Sequence, residues 1–416
     1  MSSPTYQKIP IKELIDPKRG LTYGIVQPGD YHPNGAIMIR SQDYVKGWNS
    51  LTDLFRVSPD VEAPYMRSRV QAGDILITVV GANLGRVAMV PNVLDGANIS
   101  RSVARLSFRT DLTVSPFMFQ MLQSGVLERI YYFSKVGGAQ PVINLKDILQ
   151  YIIPLPPLPE QKKIARILST WDKAIELLEK KIAAKEKLKK GLMQQLLTGK
   201  KRFKEFGKPA KDGELPEGWT SGVVGDHAYV KARIGWRGLK ADEYTDSGPY
   251  LIAGKHIAFG RVAWPECDHL SKERYNESPE IMLRTGDIIL SKDGTLGRVA
   301  LIDDLPGPAT INGTMMLIRP NEEMDSRFLY CYLQGFQFQN LIKEKVSGSS
   351  VPHLFQRDIV TLWIPCPSLA EQKKVAEAIF GIERALELLT RRIEHLQQTK
   401  KGLMQQLLTG KKRVKV

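Results

Sequence analysis

Only three cysteines occur among 416 residues, Cys267, Cys331 and Cys366, all in the second half and none at metal-ligand spacing. Cys267 and His269 are neighbours, but two potential ligands do not make a site. A disulfide framework and a structural metal are therefore not expected. Apolar runs are equally short: none approaches the roughly 18 residues that a membrane span needs. The start, Met1-Ser-Ser-Pro4, leads into polar sequence without the apolar core of a signal peptide. These absences predict a reduced, cytoplasmic protein. Hydrophobic content of 43% and charged content of 25% are those of an ordinary globular chain with enough residues for two or three domains.

Familiar catalytic signatures are missing too. No Gly-x-x-x-x-Gly-Lys-Ser/Thr phosphate loop occurs, because Thr198-Gly-Lys-Lys201 lacks both the first glycine and the hydroxyl. The Asn/Asp-Pro-Pro-aromatic motif of amino-methyltransferases is absent, since Leu155-Pro-Pro-Leu158 has neither end right. Ser58-Pro-Asp60 with Glu62 approaches a nuclease Pro-Asp…Glu-x-Lys pattern, but position 64 is proline. The six histidines are scattered. Nothing in the sequence assembles an active site.

What is present is a duplication. Lys190-Gly-Leu-Met-Gln-Gln-Leu-Leu-Thr-Gly-Lys-Lys-Arg202 returns letter for letter as Lys401 to Arg413, 211 residues later. The same plan surrounds both copies. Gly73-Asp-Ile matches Gly286-Asp-Ile, Leu84-Gly-Arg-Val-Ala88 matches Leu296-Gly-Arg-Val-Ala300, Gly47 matches Gly260, and Asp147 matches Asp358. The offset drifts from 213 to 211, as single-residue loop deletions leave between related domains.

Residues 1–155 alternate short apolar runs with turn residues. Ala36–Arg40, Gly73–Val80, Gly85–Val90 and Ser102–Phe108 read as strands, and Pro116–Ile130 as a helix. An irregular, mainly antiparallel α+β region is expected. Four prolines in Ile152–Pro159 predict a stiff extended connector. From Glu160 the period changes. Ile164, Leu168, Trp171, Ile175, Leu178, Ile182, Lys185, Lys189, Leu192 and Leu196 follow a 4-3 alternation. Val375, Ile379, Ile382, Leu386, Leu389, Ile393, Leu396, Lys400, Leu403 and Leu407 repeat it. A sustained 4-3 seam is that of helices wrapped on a partner helix. Each helix should approach 40 residues, roughly 60 Å at 1.5 Å per residue. Ser368-Leu-Ala-Glu371 is a capping box for the second helix, and Gly199 and Gly410 stand where a helix C-terminus favours positive φ. Gly191 and Gly402 lie inside the helices at a cost near 1 kcal/mol each, which close approach of another helix would explain.

Net charge is +15, which raises the question of nucleic acid. The segment Glu160–Arg202 carries 13 Lys/Arg against 5 Asp/Glu, and Glu371–Arg413 carries 10 against 5. These surpluses of 8 and 5 leave the globular parts nearly neutral, so basicity alone does not assign them to DNA.

The doubled Lys-Gly-Leu-Met-Gln-Gln-Leu-Leu-Thr-Gly-Lys, the entry Pro156-Pro-Leu-Pro-Glu-Gln-Lys-Lys163, and the paired Gly-Asp-Ile and Leu-Gly-Arg-Val-Ala motifs resemble the specificity subunit of type I restriction–modification enzymes. The resemblance covers essentially the whole chain, which departs mainly in having no long leader before Tyr6. It implies an α+β fold of two similar α/β target recognition domains separated by two long antiparallel helices in a coiled coil, a pseudo-two-fold tandem repeat. The expected divisions are 1–155 (first recognition domain), 156–203 (first helical spacer), 204–366 (linker and second recognition domain) and 367–416 (second spacer). Each domain would read one half of a bipartite, interrupted double-stranded DNA site. The helices would set the spacing and dock two methyltransferase subunits, with two restriction subunits in the full complex. The chain would be non-catalytic, with S-adenosylmethionine, ATP and magnesium bound by its partners. A coiled-coil adaptor without DNA readout is the main alternative, and an unrecognised nuclease or methyltransferase a third reading.

Candidate DNA contacts combine cations, glycines and aromatics at matching places. Lys18, Arg19 and Tyr23 correspond to Arg233, Trp236, Arg237 and Lys240. Arg40, Gln42 and Lys46 correspond to Lys255 and His256, and Asn83 and Arg86 to Lys292, Thr295 and Arg298. Arginine and glutamine pair bidentately with guanine and adenine. Arg86 and Arg298, identical in the two halves, suit phosphate or structural roles better than base reading. Trp48 and Trp236 suit core packing and base stacking equally.

Overall fold

The computed structural model describes residues 6–45, 47–48, 51, 53–133, 142–211, 214–232, 243–347 and 353–415. The chain forms two compact units. One comprises Met1–Glu179 with Arg391–Val416, the other Lys180–Thr390.

Among the described residues of the first unit the strands are β1 (Gln7–Pro10), β2 (Leu21–Tyr23), β3 (Ala36–Ile39), β4 (Arg56–Val57), β5 (Ile75–Thr78), β6 (Val87–Met89), β7 (Asn98–Ile99), β8 (Val103–Leu106) and β9 (Ile152–Leu155). An antiparallel sheet runs β2-β8-β5-β6 and a smaller one β4-β3-β7, in which β3 and β7 are parallel. The second unit repeats this with β10 (Thr220–Val223), β11 (Ala228–Ala232), β12 (Tyr244–Ile252), β13 (Ile257–Ala258), β14 (Arg261–Val262), β15 (Asp268–Leu270), β16 (Ile288–Ser291), β17 (Val299–Leu301), β18 (Ala309–Ile311), β19 (Met315–Pro320) and β20 (Trp363–Cys366). Its sheets, β11-β19-β16-β17 and β15-β12-β18, have the order of the first unit, with β12 and β18 parallel as β3 and β7 are. The duplication in sequence is a duplication of topology.

Two expected elements of the first unit differ in the structure. The proline-rich stretch is not a free connector. Ile152–Leu155 pairs with Gln7–Pro10 in a two-stranded ribbon, which keeps Pro154 out of any central position. The helix then opens at Leu158, with Pro159 in the first turn, where a missing N–H leaves no bond unmade. Nor is Pro116–Ile130 one helix. Ser115–Met121 and Leu127–Phe133 flank a wider turn at Leu122–Val126, where Gly125 takes φ +84°.

Both long helices have 39 residues, Leu158–Leu196 and Leu369–Leu407. Each unit contains the start of one and the end of the other. In the first unit Ile164 and Leu168 join Ile75, Ile77, Phe117 and Met121 in a core that also takes Leu407 and Leu408. In the second, Val375 and Ile379 join Ile288, Leu290, Phe328 and Tyr332 with Met193, Leu196 and Leu197. The segments run antiparallel within each unit. Glu160 meets Arg413 at 2.7 Å while Asp172 meets Lys400 at 2.5 Å. Arg202 meets Glu371 at 2.8 Å while Lys189 meets Glu383 at 2.5 Å. Two of the lysines that interrupt the 4-3 seam, Lys189 and Lys400, are thus ion-paired.

Along the seam, Trp171, Ile175, Leu178 and Ile393 are half-buried in the first unit, as is Leu403. In the second, Ile182, Leu192, Ile382, Leu386 and Leu389 are half-buried and Leu196 and Ile379 fully buried. Gly199 and Gly410 have φ +71° and +77°, and a Cβ would strike Pro216 at 2.3 Å in one copy and Tyr6 at 2.8 Å in the other. Gly191 and Gly402 behave differently from expectation: no atom lies within 4 Å of where their Cβ would sit. Close helix approach within this chain does not explain them. The capping box at Ser368 is half realised. Its hydroxyl accepts from the Glu371 N–H at 3.4 Å, but the Glu371 carboxylate turns to Arg202 and Trp219 instead.

Candidate nucleic-acid interface

The Gly-Asp-Ile motif sets the scaffold beneath the candidate loops. Asp74 and Asp287 each accept the backbone N–H three residues earlier, from Gln71 at 2.7 Å and Arg284 at 2.6 Å. Both carboxylates are buried and met by a guanidinium. Asp287 takes two bonds of 2.7 Å from Arg319, and Asp74 pairs with Arg19 at 2.9 Å with help from the Ser107 hydroxyl. This gives Arg19 a role other than the one expected. It also donates to the Arg69 carbonyl and Gln71, so it is committed to the fold rather than free for phosphate. Lys18 and Tyr23 beside it are exposed.

Two turns come together in each unit. In the first, the short turn Ser41–Tyr44 follows β3, and Tyr44 is hydrogen-bonded to Thr78 at 2.8 Å. That bond ties it to the end of β5, where the Asn83–Arg86 turn begins. In the second, the turn Gly254–His256 follows β12, and the Gly254 carbonyl accepts from Arg298 at 3.3 Å. Arg86 and Arg298 occupy one register. Their carbonyls accept from Thr78 and Ser291 at 2.8 and 2.9 Å. Arg86, Arg298, Thr295, Gln42 and Lys255 are exposed, and Asn83 and Lys292 half-buried. Lys255 and Lys292 are paired with Asp268 and Asp293, each at 3.0 Å. Arg40 is braced by Asp43 and stacks over Phe55 with 5.1 Å to the ring centroid.

His256 is a correction. It is 2% exposed, and its Nδ1 accepts the Ala253 N–H at 3.0 Å. Asp43, 213 residues earlier, performs the same service for the Arg40 N–H at 2.7 Å. Burial pushes the imidazole below its ordinary pKa, so it is a neutral turn-former with no path to a base edge. Trp48 resolves toward the core, packed on Tyr44 with its indole N–H given to the Met89 carbonyl at 2.9 Å. Lys46, Arg233, Trp236, Arg237 and Lys240 lie outside the described residues.

Sequence reading missed a second cluster beside Lys292. His353 pairs with Asp293 and packs on Phe355, over whose exposed ring Arg357 lies at 5.0 Å. Only Lys292-Asp293-Gly294, a turn signal, hinted at it. Among the described residues there is no group of His, Cys, Asp and Glu able to hold a metal, and no helix long and apolar enough to cross a membrane.

Two copies of one α+β scaffold, each presenting a different set of cationic and aromatic turns and each followed by a 39-residue helix, define a duplicated recognition protein. The model of the type I restriction modification DNA specificity domain matches residues 11–187 and again 220–398. The chain belongs to this family, carries its domain twice, and has DNA sequence recognition as its role. Over 353 residues it is 30% identical to the type I restriction enzyme MjaVIII specificity subunit of Methanocaldococcus jannaschii, covering 83% of this chain and 80% of that one. The putative MjaX specificity subunit of the same organism is 28% identical, with 97% and 94% covered. In fold, the chain is similar to the crystal structure of the type I restriction–modification S subunit from M. genitalium. The TM-score is 0.60 at 18% identity, with 98% and 97% covered.

Proposed function

We propose that each globular region reads one half of a bipartite, interrupted double-stranded DNA site, and that the long helices set the gap and dock two methyltransferase subunits. The observation that carries this is the contrast between what the duplication kept and what it changed. Buried identity in the thirteen-residue motif follows from packing, but its exposed residues are identical too. Lys190, Gln194 and Gln195 match Lys401, Gln405 and Gln406, and all six are exposed. Leu177 and Leu388, 211 positions apart, are both exposed leucines. Gly191 and Gly402 likewise leave the same open space beside each copy. One partner bound twice keeps two surfaces alike, whereas two different DNA elements require loops that differ, as Gln42 and Lys255 do. Helices of 39 residues, roughly 60 Å long, suffice to bridge elements one duplex turn, about 34 Å, apart.

In this reading the chain performs no catalysis and works in the cytoplasm. S-adenosylmethionine, ATP and magnesium belong to the methyltransferase and to the two restriction subunits of the full complex. The test is co-expression with the cognate modification subunit in a methylation-free host, with every methylated adenine mapped. A split motif with a fixed gap is expected. An uninterrupted motif would mean that one region alone reads DNA. No methylation, with a competent partner present, would favour an adaptor without DNA readout.

A further inference from the structure

Phe259 is the only non-glycine residue with positive φ among those described, at +49°, and its side chain is 98% exposed. It stands at the tip of the hairpin formed by β13 and β14. Ala258 faces Arg261 across the ladder, leaving Phe259 and Gly260 as the two-residue turn. Gly260 has φ +74°, so both turn residues are left-handed, the geometry of a type I′ turn. Such a turn favours Asn-Gly, and a bulky residue at its first position is strained. The hairpin is anchored at Gly260, whose carbonyl accepts from the Leu301 N–H at 3.2 Å and the Tyr330 hydroxyl at 3.4 Å. A rigid base therefore holds an aromatic ring out in solvent at the expense of local backbone energy. Neither burial nor turn propensity accounts for phenylalanine here.

Its neighbours and its counterpart indicate what does. Lys255 and Arg261 precede and follow the tip and stay 65% and 64% exposed while paired with Asp268 at 3.0 Å and Glu387 at 3.9 Å, so the hairpin carries two solvent-facing cations that suit phosphate. In the first half, Lys46-Gly47 stands 213 positions before Phe259-Gly260. The glycine is kept while the residue before it changes from cation to aromatic, the pattern expected of a position that meets a different DNA sequence in each half.

We propose that Phe259 is an aromatic wedge that stacks on a base step of the second DNA element and helps to specify it. Apolar side chains between base steps unstack them and favour the more deformable sequences. The inference rests on the reading of the second globular region as a DNA reader. The test uses the assembled complex of this chain with its modification subunit and duplexes carrying the mapped motif, with 2-aminopurine placed in either element. Phe259→Asn suits the I′ turn, so the fold should melt no earlier than the parent. It should weaken binding of the full site roughly 5- to 150-fold, the usual range for loss of one base–aromatic stack. The fluorescence rise on binding should disappear in the second element and persist in the first, and Phe259→Trp should retain both signals. Equal affinity and an unchanged second-element signal in Phe259→Asn would overturn the wedge. So would a loss traced to weaker association with the modification subunit, which would make Phe259 a protein contact. Absence of any site preference in the parent complex is a separate outcome, refuting the DNA-reading role itself.

Discussion

Arg202 and Arg413 end identical thirteen-residue motifs, yet their removal should have unequal effects. Arg202 gives Glu371 two charge-assisted bonds of 2.8 and 2.9 Å, and the two side chains are 6% and 2% exposed. Without it, the described geometry leaves the carboxylate one side-chain donor, the Trp219 indole at 3.0 Å, and the Glu217 carbonyl loses a bond of 2.9 Å. Stranding one member of a buried pair costs about 3–5 kcal/mol. Arg413 is 33% exposed, and Glu160 would keep the Tyr6 hydroxyl at 2.8 Å and the Val414 N–H at 3.0 Å. Arg413 also bonds Glu160 through both Nε and Nη2, but with its guanidinium partly in solvent and two other donors kept on the carboxylate, its loss costs less. A unit of this size shifts by about 2–4 °C per kcal/mol. Arg202→Ala should therefore lower the melting of the Lys180–Thr390 unit by roughly 6–20 °C, and Arg413→Ala that of the other unit by clearly less. Calorimetry, with hydrogen exchange at the two helix starts to assign each transition, reads both. Equal losses, or the reverse order, would refute the reasoning. So would additivity of Arg202→Ala with Glu371→Ala, since partners in contact must couple.

Acid should loosen the first unit through Glu160. Burial works to raise its pKa, but Arg413, the Val414 N–H and Tyr6 together outweigh that and hold it below the ordinary value. A depressed folded pKa contributes stability above the unfolded value, about 4.3, that is lost as pH falls through the folded one. Exchange protection of the helix start at Glu160 should drop in that window, and Glu160→Gln should abolish the drop while lowering stability at neutral pH. Asp287→Asn keeps the turn acceptor for Arg284 but leaves Arg319 without its anion. A loss of about 2–3 kcal/mol in urea unfolding is expected, and none would mean that the Gly-Asp-Ile carboxylate is not structural. The three thiols should resist a disulfide reagent at pH 8 until the chain unfolds. Burial pushes Cys267 up to about 12, Cys366 up to about 11 and Cys331 well above its ordinary value, and a fast-reacting thiol would contradict their placement.

Much of this protein follows from its sequence alone. The exact repeat and the drifting offsets announce two copies of one fold. The 4-3 seams from Ile164 and Val375 specify long helices because helical periodicity survives any tertiary context. Glycine at 199 and 410 marks their ends because left-handed φ is a local demand. Local chemistry is less informative wherever a side chain has a choice of partners. Arg19 and His256 look like surface recognition residues in one dimension, and only the folded chain turns the first onto Asp74 and the second onto its own backbone. Phe259 escaped notice because an exposed aromatic in a strained turn has no periodic signature.

The pairing of the halves is likewise a tertiary decision. Nothing in the motif says which helix start it will close. A continuous helix of 39 residues, roughly 60 Å long, cannot bring its own end back to its own beginning. Arg202 must therefore find Glu371, and Arg413 find Glu160. The repeat states what each end needs, and the stiffness of the helix decides who supplies it.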